Sequence, residues 1–97
     1  MKVIWSDPAL KELASIQDYI AKDSPLTAEN FTIGLYNQIS DRLKEFPRYG
    51  RKIPEIDQDA FREVIYRNYR IMNRIKKEGL SILSVRNSRR LFKSTFR

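Results

Sequence analysis

The residues of this sequence that could form a functional site are mostly basic. Basic side chains in close groups can bind anions. Arg48, Arg51 and Lys52 lie close together in a stretch that also holds two prolines and a glycine. Basic side chains on a stiff loop lose less conformational entropy on binding an anion than those on a flexible loop. This stretch is therefore predicted to bind an anion. The alternative is a solvated loop in which Arg51 pairs with Glu55.

A second group of basic residues falls on predicted neighbouring strands. Arg62, Arg70 and Arg74 can converge on one face of a sheet, because alternate residues of adjacent strands point the same way. Convergent guanidinium groups can clamp a phosphate and stabilise its developing charge. The alternative is a polar outer face with cross-strand arginine–glutamate pairs, for instance to Glu63.

A third group, Arg86, Arg89 and Arg90, directly follows the last predicted strand and would extend the same patch. Basic residues near the end of a chain often form a solvated tail. Phe92 and Phe96 argue against that interpretation, because a solvated tail needs no phenylalanine.

The residue types that are missing exclude several kinds of site. The sequence contains no histidine and no cysteine, which removes the usual proton shuttle of neutral pH, thiolate nucleophiles and zinc–thiolate centres. It shows no Gly-rich phosphate loop and no carboxylate cluster with metal-ligand spacing. No metal and no organic cofactor are therefore predicted, and Lys52 is the only obvious candidate for a general base.

Charge is distributed unevenly along the chain. Residues 1–41 carry three basic and six acidic side chains, a net charge of −3, whereas residues 42–97 carry sixteen basic and six acidic ones, a net charge of +10. A small protein with its positive charge in one half usually presents that half to a polyanion or an acidic partner.

Length and hydropathy predict one domain over residues 1–97. No stretch approaches the roughly 20 apolar residues that span a bilayer, and no signal peptide is recognisable after Met1. A cytoplasmic protein with no membrane partner is expected.

Two helices are predicted to position these residues. The segments Ser6-Asp7-Pro8 and Asp23-Ser24-Pro25 each place an N-cap oxygen before a proline, which is typical of a helix start. Apolar residues then recur at steps of three and four, to about Lys22 in the first helix and Phe46 in the second. Two such helices with a tight joint indicate an antiparallel helical hairpin.

Strands are predicted at the start of the chain, over Lys2–Trp5, and from Phe61 onward, where the apolar period changes to two. The residues between the second helix and Phe61 are predicted to form a loop, because they contain two prolines and a glycine. A two-residue turn is predicted at Arg67 and Asn68, since Asn68 tolerates a positive φ.

A second turn precedes Leu80–Val85, which is apolar on both faces as in a central strand. The first strand should pair at an edge of this meander or beside its last strand. The predicted fold class is α+β, with the order β-α-α-β-β-β: an N-terminal strand and a helical hairpin packed on a mainly antiparallel twisted sheet.

Taken in order, these residues resemble the RelE/ParE superfamily of type II toxin–antitoxin toxins, over nearly the whole chain. The resemblance is carried by Trp5, Ala9-Leu10, Leu13, Ile16, Tyr19-Ile20-Ala21, Ser24-Pro25, Phe46-Pro47, Gly50-Arg51, Pro54-Glu55, Arg62-Glu63-Val64, Tyr69-Arg70-Ile71, Val85 and Arg90. It implies a bacterial or archaeal toxin that inhibits growth, and an antitoxin whose acidic or amphipathic segment wraps it. Separately, an apolar groove lined partly by helix one or two and the sheet edge is expected to stay open on the isolated toxin, because the sequence has many aromatic residues for a small core: Trp5, Phe31, Phe46, Phe61, Phe92 and Phe96.

The resemblance leaves two activities open. RelE-like members cut mRNA in the ribosomal A site, whereas ParE-like members poison DNA gyrase. The second activity is favoured here, because Asn87 stands where many members carry a histidine and no tyrosine follows Tyr69. A third possibility is a degenerate toxin that only binds its antitoxin.

The residues expected to contact the target or the antitoxin are Arg51, Lys52, Arg62, Arg70, Arg86, Arg89 and Arg90. If the protein were instead a ribonuclease, Arg62, Arg70 and Arg86 would orient the phosphate and Lys52 would act as the base.

Overall fold

Both helices begin at the segments in which a serine N-cap precedes a proline, as predicted. The computed structural model describes residues 1–88. In it, helix α1 spans Asp7–Ala21 and helix α2 spans Pro25–Glu45. The hydroxyl oxygens of Ser6 and Ser24 accept hydrogen bonds from backbone amides in the first turn of each helix, both at 3.2 Å. These bonds satisfy amides that a helix start leaves without an intrahelical partner.

The strands form one five-stranded sheet in the order β1-β5-β4-β3-β2. Strand β1 lies parallel to β5, beside the last strand as predicted, and the other neighbours are antiparallel. The strands are β1 Val3–Trp5, β2 Arg51–Lys52, β3 Phe61–Tyr66, β4 Tyr69–Ile75 and β5 Leu80–Asn87. The predicted α+β class and mainly antiparallel sheet are confirmed.

One local prediction is wrong, and one predicted turn differs in detail. The basic stretch before residue 61 is not all loop, since Arg51 and Lys52 add the short edge strand β2, which pairs with Glu63 and Arg62. In the turn between β3 and β4, the positive φ, 57°, belongs to Arg67 and not to Asn68. Strand β2 has only two residues, too few to show an alternating pattern in the sequence. In the turn, the residue that takes the left-handed conformation depends on the turn type, which is set together with the register of β3 and β4.

The core lies between the helices and one face of the sheet. Trp5, in β1, donates a buried hydrogen bond from its indole nitrogen to the Ser40 hydroxyl of α2 at 2.8 Å, and its ring stacks on Tyr36. Asn73 is fully buried on this face, and its amide nitrogen and oxygen have no hydrogen-bond partner among residues 1–88. The buried apolar residues are Trp5, Ala9, Leu13, Leu35, Ile39, Leu43, Val64, Tyr69, Ile71, Leu80, Ile82 and Val85. Within residues 1–88, neither helix is long and apolar enough to traverse a bilayer.

Candidate functional site

Strand register divides the predicted basic residues between the two faces of the sheet. Ile71 and Val85 are a register pair in the core, so the next pair along the strands, Arg70 and Arg86, lies on the outer face of the sheet, opposite the core. The same alternation places Arg51 on the outer face, because it pairs with Glu63 and the neighbouring Val64 is in the core.

Lys52 and Arg62 form the next register pair and therefore lie on the helix side of the sheet, at its β2 edge. The prediction that Arg62 converges with Arg70 on one face is wrong. Arg62 shares its face with Val64 and with its register partner Asn73, both of which are buried.

On the outer face, Glu63 is a buried carboxylate held by two arginines. Its side chain is 0% exposed, and it accepts hydrogen bonds from Arg51 Nε and Arg70 Nε, each at 2.7 Å. Charge-assisted bonds of this length are strong ones. A buried carboxylate needs such partners, because removing an ionised group from water is costly unless it is paired.

A second carboxylate, that of Glu55, meets the same arginine from the loop after β2. It accepts three bonds from the terminal nitrogens of Arg70, all at 3.3 Å, and its side chain is 64% exposed. We call Arg51, Arg70, Glu55 and Glu63 the arginine–glutamate cluster.

The pKa values of the cluster follow its geometry. A hydrogen bond to the backbone at Glu55 itself, reinforced by Arg70, lowers the pKa of the Glu55 carboxyl below its usual 4.5. Burial alone would lower the pKa of Arg70, but its bonds to Glu63 and Glu55 outweigh burial and raise it. Arg70 is therefore a permanent cation and Glu55 an anion at neutral pH.

The β2 edge has its own set of ion pairs. Arg62 donates to the Gly50 carbonyl at 3.0 Å and to Asp59 Oδ1 at 2.6 Å, and Arg48 pairs with the other oxygen of Asp59. Lys52 lies 3.3 Å from Asp57. These contacts join the loop to the sheet. They also pair each of these basic side chains with a carboxylate of the same loop.

Gly50 is required at this edge for a close backbone approach. A Cβ at this position would lie 2.6 Å from the carbonyl oxygen of Glu63. Any larger residue would separate β2 from β3 and displace Arg51, the cluster member carried by β2.

Arg86 is the register partner of Arg70, but its side chain has contacts outside the cluster. Its Nε donates to Ser84 Oγ at 3.0 Å and lies 3.6 Å from Glu12 of α1. The other oxygen of Glu12 accepts from the Val85 amide at 2.9 Å, so one carboxylate serves both the backbone of β5 and its arginine. Asn87 ends β5 opposite Tyr69. The predicted contact residues Arg89 and Arg90 lie outside the described residues, as do Phe92 and Phe96.

Of the basic residues predicted to share one face, Arg51, Arg70 and Arg86 lie on the outer face, whereas Lys52 and Arg62 do not. What the prediction missed is their pairing, since every predicted contact residue within the described part of the chain has a carboxylate partner within 4 Å. The alternative of cross-strand pairs to Glu63 describes the outer face better, and the alternative pairing of Arg51 with Glu55 is replaced by Arg70 with Glu55.

From the sequence, Glu63 and Glu55 were expected only as partners in the alternative interpretations. Glu63 follows Arg62 in a strand whose other members are mostly apolar, and a carboxylate in such a strand signals a buried pair. Glu12 was missed, because its role depends on how helix α1 approaches the sheet.

An apolar groove lies on the helical side of the molecule, between α1 and α2. Its volume is about 330 Å³, and its rim includes Leu10, Ile33 and Tyr36, which are 40–51% exposed. The predicted apolar groove is thus present between the two helices, without a contribution from the sheet edge. Among residues 1–88, no cluster of three acidic side chains has the spacing of a metal site.

Comparison with known proteins identifies the family and the fold. The model of the ParE toxin of the type II toxin–antitoxin system parDE matches residues 3–92. Toxin RelE2 of Caulobacter vibrioides is 40% identical over 50 residues, which are 52% of this chain and 56% of that protein, so the match spans about half of each.

A solved structure, described as the chromosomal ParDE toxin–antitoxin system from P. aeruginosa, superposes with a TM-score of 0.74 at 21% identity. The match covers 90% of this chain and 95% of the other. At that identity the likeness shows the fold. Because the family model covers nearly all of the sequence, the chain belongs to the ParE toxin family of type II toxin–antitoxin systems.

Proposed function

We propose that this toxin acts as a binding poison of DNA gyrase and is neutralised by a cognate antitoxin. The observation that carries the proposal is the separation of the four residues that RNA cleavage would require. Lys52 and Arg62 lie on the helix side of the sheet, whereas Arg70 and Arg86 lie on the outer face. A general base and its phosphate-binding groups must converge within hydrogen-bond reach of one substrate.

The state of each group supports the same proposal. Lys52 pairs with the exposed carboxylate of Asp57 at 3.3 Å, which holds its amine at the loop and not beside the outer-face arginines. The sequence offers no histidine as a substitute. Binding needs no proton transfer, and paired arginines at a surface can still recognise a protein partner.

Supercoiling of relaxed plasmid by purified gyrase tests this function. The wild-type toxin is expected to inhibit at micromolar concentration. Arg86, whose side chain is 55% exposed on the outer face, is proposed to contact the target. Arg86→Gln should weaken inhibition by about tenfold, the effect of one interfacial charged hydrogen bond.

Lys11→Gln is the matched control, because it removes one exposed positive charge that forms no ion pair among residues 1–88. Full supercoiling in the presence of the wild-type toxin would contradict gyrase as the target. Equal losses in both variants would assign the effect to net charge.

Neutralisation is tested by expression in cells. The apolar rim of the groove between α1 and α2 is proposed to receive an apolar face of the antitoxin, since peptide helices commonly dock with side chains spaced three and four residues apart in such grooves. Growth arrest on expression of the toxin, relieved by co-expression of the adjacent reading frame, is the expected result.

A RelE-like mRNA endonuclease is the second candidate, and the similarity to Toxin RelE2 favours it. Cleavage of A-site codons in a translating extract, abolished by Lys52→Ala, would establish this activity. Intact message in that extract would remove it.

A further inference from the structure

The two carboxylates of the arginine–glutamate cluster are held very differently. Glu63 is fully buried, with short bonds to both arginines. Glu55 is mostly exposed, and its bonds to Arg70 are all 3.3 Å long, well beyond the 2.7–2.9 Å usual for charge-assisted bonds. Glu63 is therefore a fixed part of the sheet, whereas Glu55 is a weakly held occupant.

The arginines would retain binding capacity if Glu55 moved away. Glu55 is bonded by both terminal nitrogens of Arg70, of which Nη2 is also 2.5 Å from Glu63 whereas Nη1 bonds Glu55 alone. The side chain of Arg51 is 65% exposed, with Nε engaged by Glu63. Two guanidinium groups facing one fixed carboxylate leave one positive charge uncompensated. A planar guanidinium fork matches an incoming carboxylate in a bidentate manner.

Apolar surface adjoins this charge. Ile65 is the register partner of Arg70 on the outer face and is 51% exposed. A ligand that carries a carboxylate next to an apolar side chain would match both features. Such a ligand is an acidic, partly apolar protein segment.

We infer that Glu55 is an internal placeholder, which an acidic side chain of the antitoxin displaces to pair with Arg70 and Arg51. This inference rests on the proposed antitoxin partner and assigns it a contact on the sheet, separate from the helical groove. A nucleic-acid backbone fits less well, because phosphate binding depends on a surplus of positive charge. Around this loop, five basic side chains (Arg48, Arg51, Lys52, Arg62 and Arg70) face four acidic ones (Glu55, Asp57, Asp59 and Glu63), a net charge of only +1.

The experiment is a titration of the full-length toxin followed by NMR at the Nε–H groups of its arginines. The probes are a short capped peptide that alternates leucine with glutamate, the same peptide with glutamine in place of glutamate, and inorganic phosphate. Glu55→Gln should bind the glutamate peptide about two- to fivefold more tightly than the wild type, the range expected for removing one exposed competing ion pair. The shifts should be largest at Arg70 and Arg51.

Asp57→Asn is the matched control. It removes the same charge from the same loop, but its carboxylate pairs with Lys52 rather than with the cluster. Asn also suits the positive φ of 52° at this position. The affinity of this variant for the glutamate peptide should stay at the wild-type value.

The inference would be overturned by no gain in Glu55→Gln, by an equal gain in Asp57→Asn, or by a gain for phosphate without one for the glutamate peptide. Equal binding of the glutamine peptide would also overturn it, because the carboxylate would then have no role. If the peptide titration behaves as expected but no antitoxin relieves growth arrest, the anion site stands and the proposed partner falls.

Discussion

At the residue scale, the buried carboxylate of Glu63 has the largest expected effect on stability. Glu63→Gln would leave Arg51 and Arg70 facing each other without the anion that both contact. Removing one partner of a buried ion pair costs about 3–5 kcal/mol. Because Arg51 is largely exposed, we expect a loss of about 3 kcal/mol in the free energy of unfolding, measured by urea denaturation.

Glu78→Gln supplies the comparison for that measurement. Glu78 lies exposed in the turn between β4 and β5, and it has no ion pair among residues 1–88. The same chemical change should alter stability there by about 0.5 kcal/mol or less. Similar values for both variants would show that the cluster contributes nothing beyond net charge.

Replacing Asn73 should change the free energy of unfolding in the opposite direction. Its buried amide has no hydrogen-bond partner among residues 1–88, and an unsatisfied buried polar group costs about 1–3 kcal/mol. Asn73→Leu keeps the branching at Cγ and should raise the free energy of unfolding by about 1 kcal/mol. Thr32→Val is the contrast, because the Thr32 hydroxyl donates to Gln17 and its loss should destabilise the protein. A loss of stability in Asn73→Leu would contradict the proposed cost of the amide.

The lowered pKa of Glu55 predicts a dependence of stability on acid. A carboxyl whose pKa is depressed by folding stabilises the protein above its usual pKa, here 4.5, and loses that contribution as the pH falls through the lowered value. The stability of the wild type and of Glu55→Gln should therefore differ at neutral pH and converge below pH 4.5. The effect is small, because exposed ion pairs contribute little. A constant difference down to acidic pH in urea titrations would refute this assignment.

The residue types of the site could be predicted from the sequence, but their pairing could not. Alternation in β3 already places Arg62 with Val64, yet the opposing residues Lys52 and Asn73 follow only from the strand register. Register depends on the whole sheet and on turn geometry, so the sequence alone does not predict which residues are neighbours across strands.

At the element scale, local chemistry decides how well the sequence predicts each boundary. Both helices follow from serine caps and prolines, which act through the backbone next to them. Strand β2 was missed because its two residues become a strand only by pairing with β3, a contact distant in sequence.

Two glycines at the scale of elements give opposite predictions. Gly34 lies inside α2, where an added Cβ would meet only ordinary contacts, the nearest at 3.5 Å to the Tyr66 hydroxyl. Gly34→Ala should therefore raise stability by about 0.5–1 kcal/mol, because alanine loses less backbone entropy in a helix. Gly50→Ala, with its Cβ 2.6 Å from the backbone of β3, should lower it. Thermal unfolding of both variants checks the pair, and destabilisation by Gly34→Ala would show hidden crowding.

At the scale of the whole molecule, the acidic and basic halves of the sequence form few ion pairs with each other. Among residues 1–88, only the pair between Arg86 and Glu12 joins the acidic and basic halves. The remaining ion pairs form within residues 42–97, so most of the positive charge near β2 is compensated locally. A charge count therefore overstated the free cationic surface.

The helical side offers apolar surface instead, and its role is tested on the isolated toxin and on the complex. Ile33, on the rim of the groove between α1 and α2, is 51% exposed, and exposed apolar patches promote association. Ile33→Gln should reduce self-association of the isolated toxin in sedimentation velocity. It should also weaken antitoxin binding by about tenfold, roughly the loss of one buried aliphatic side chain.

Leu26→Gln is the control that distinguishes an effect of the groove from an effect of any exposed apolar residue. Leu26 is more exposed, at 69%, and belongs to the same helix, but it does not line the groove. This variant should keep both the self-association and the antitoxin affinity of the wild type. If it reduced both as much as Ile33→Gln, any exposed apolar residue would suffice, and the groove would have no special part in recognition. A selective effect of Ile33→Gln would instead assign the helical side to the apolar part of the antitoxin and leave the arginine–glutamate cluster for its acidic part.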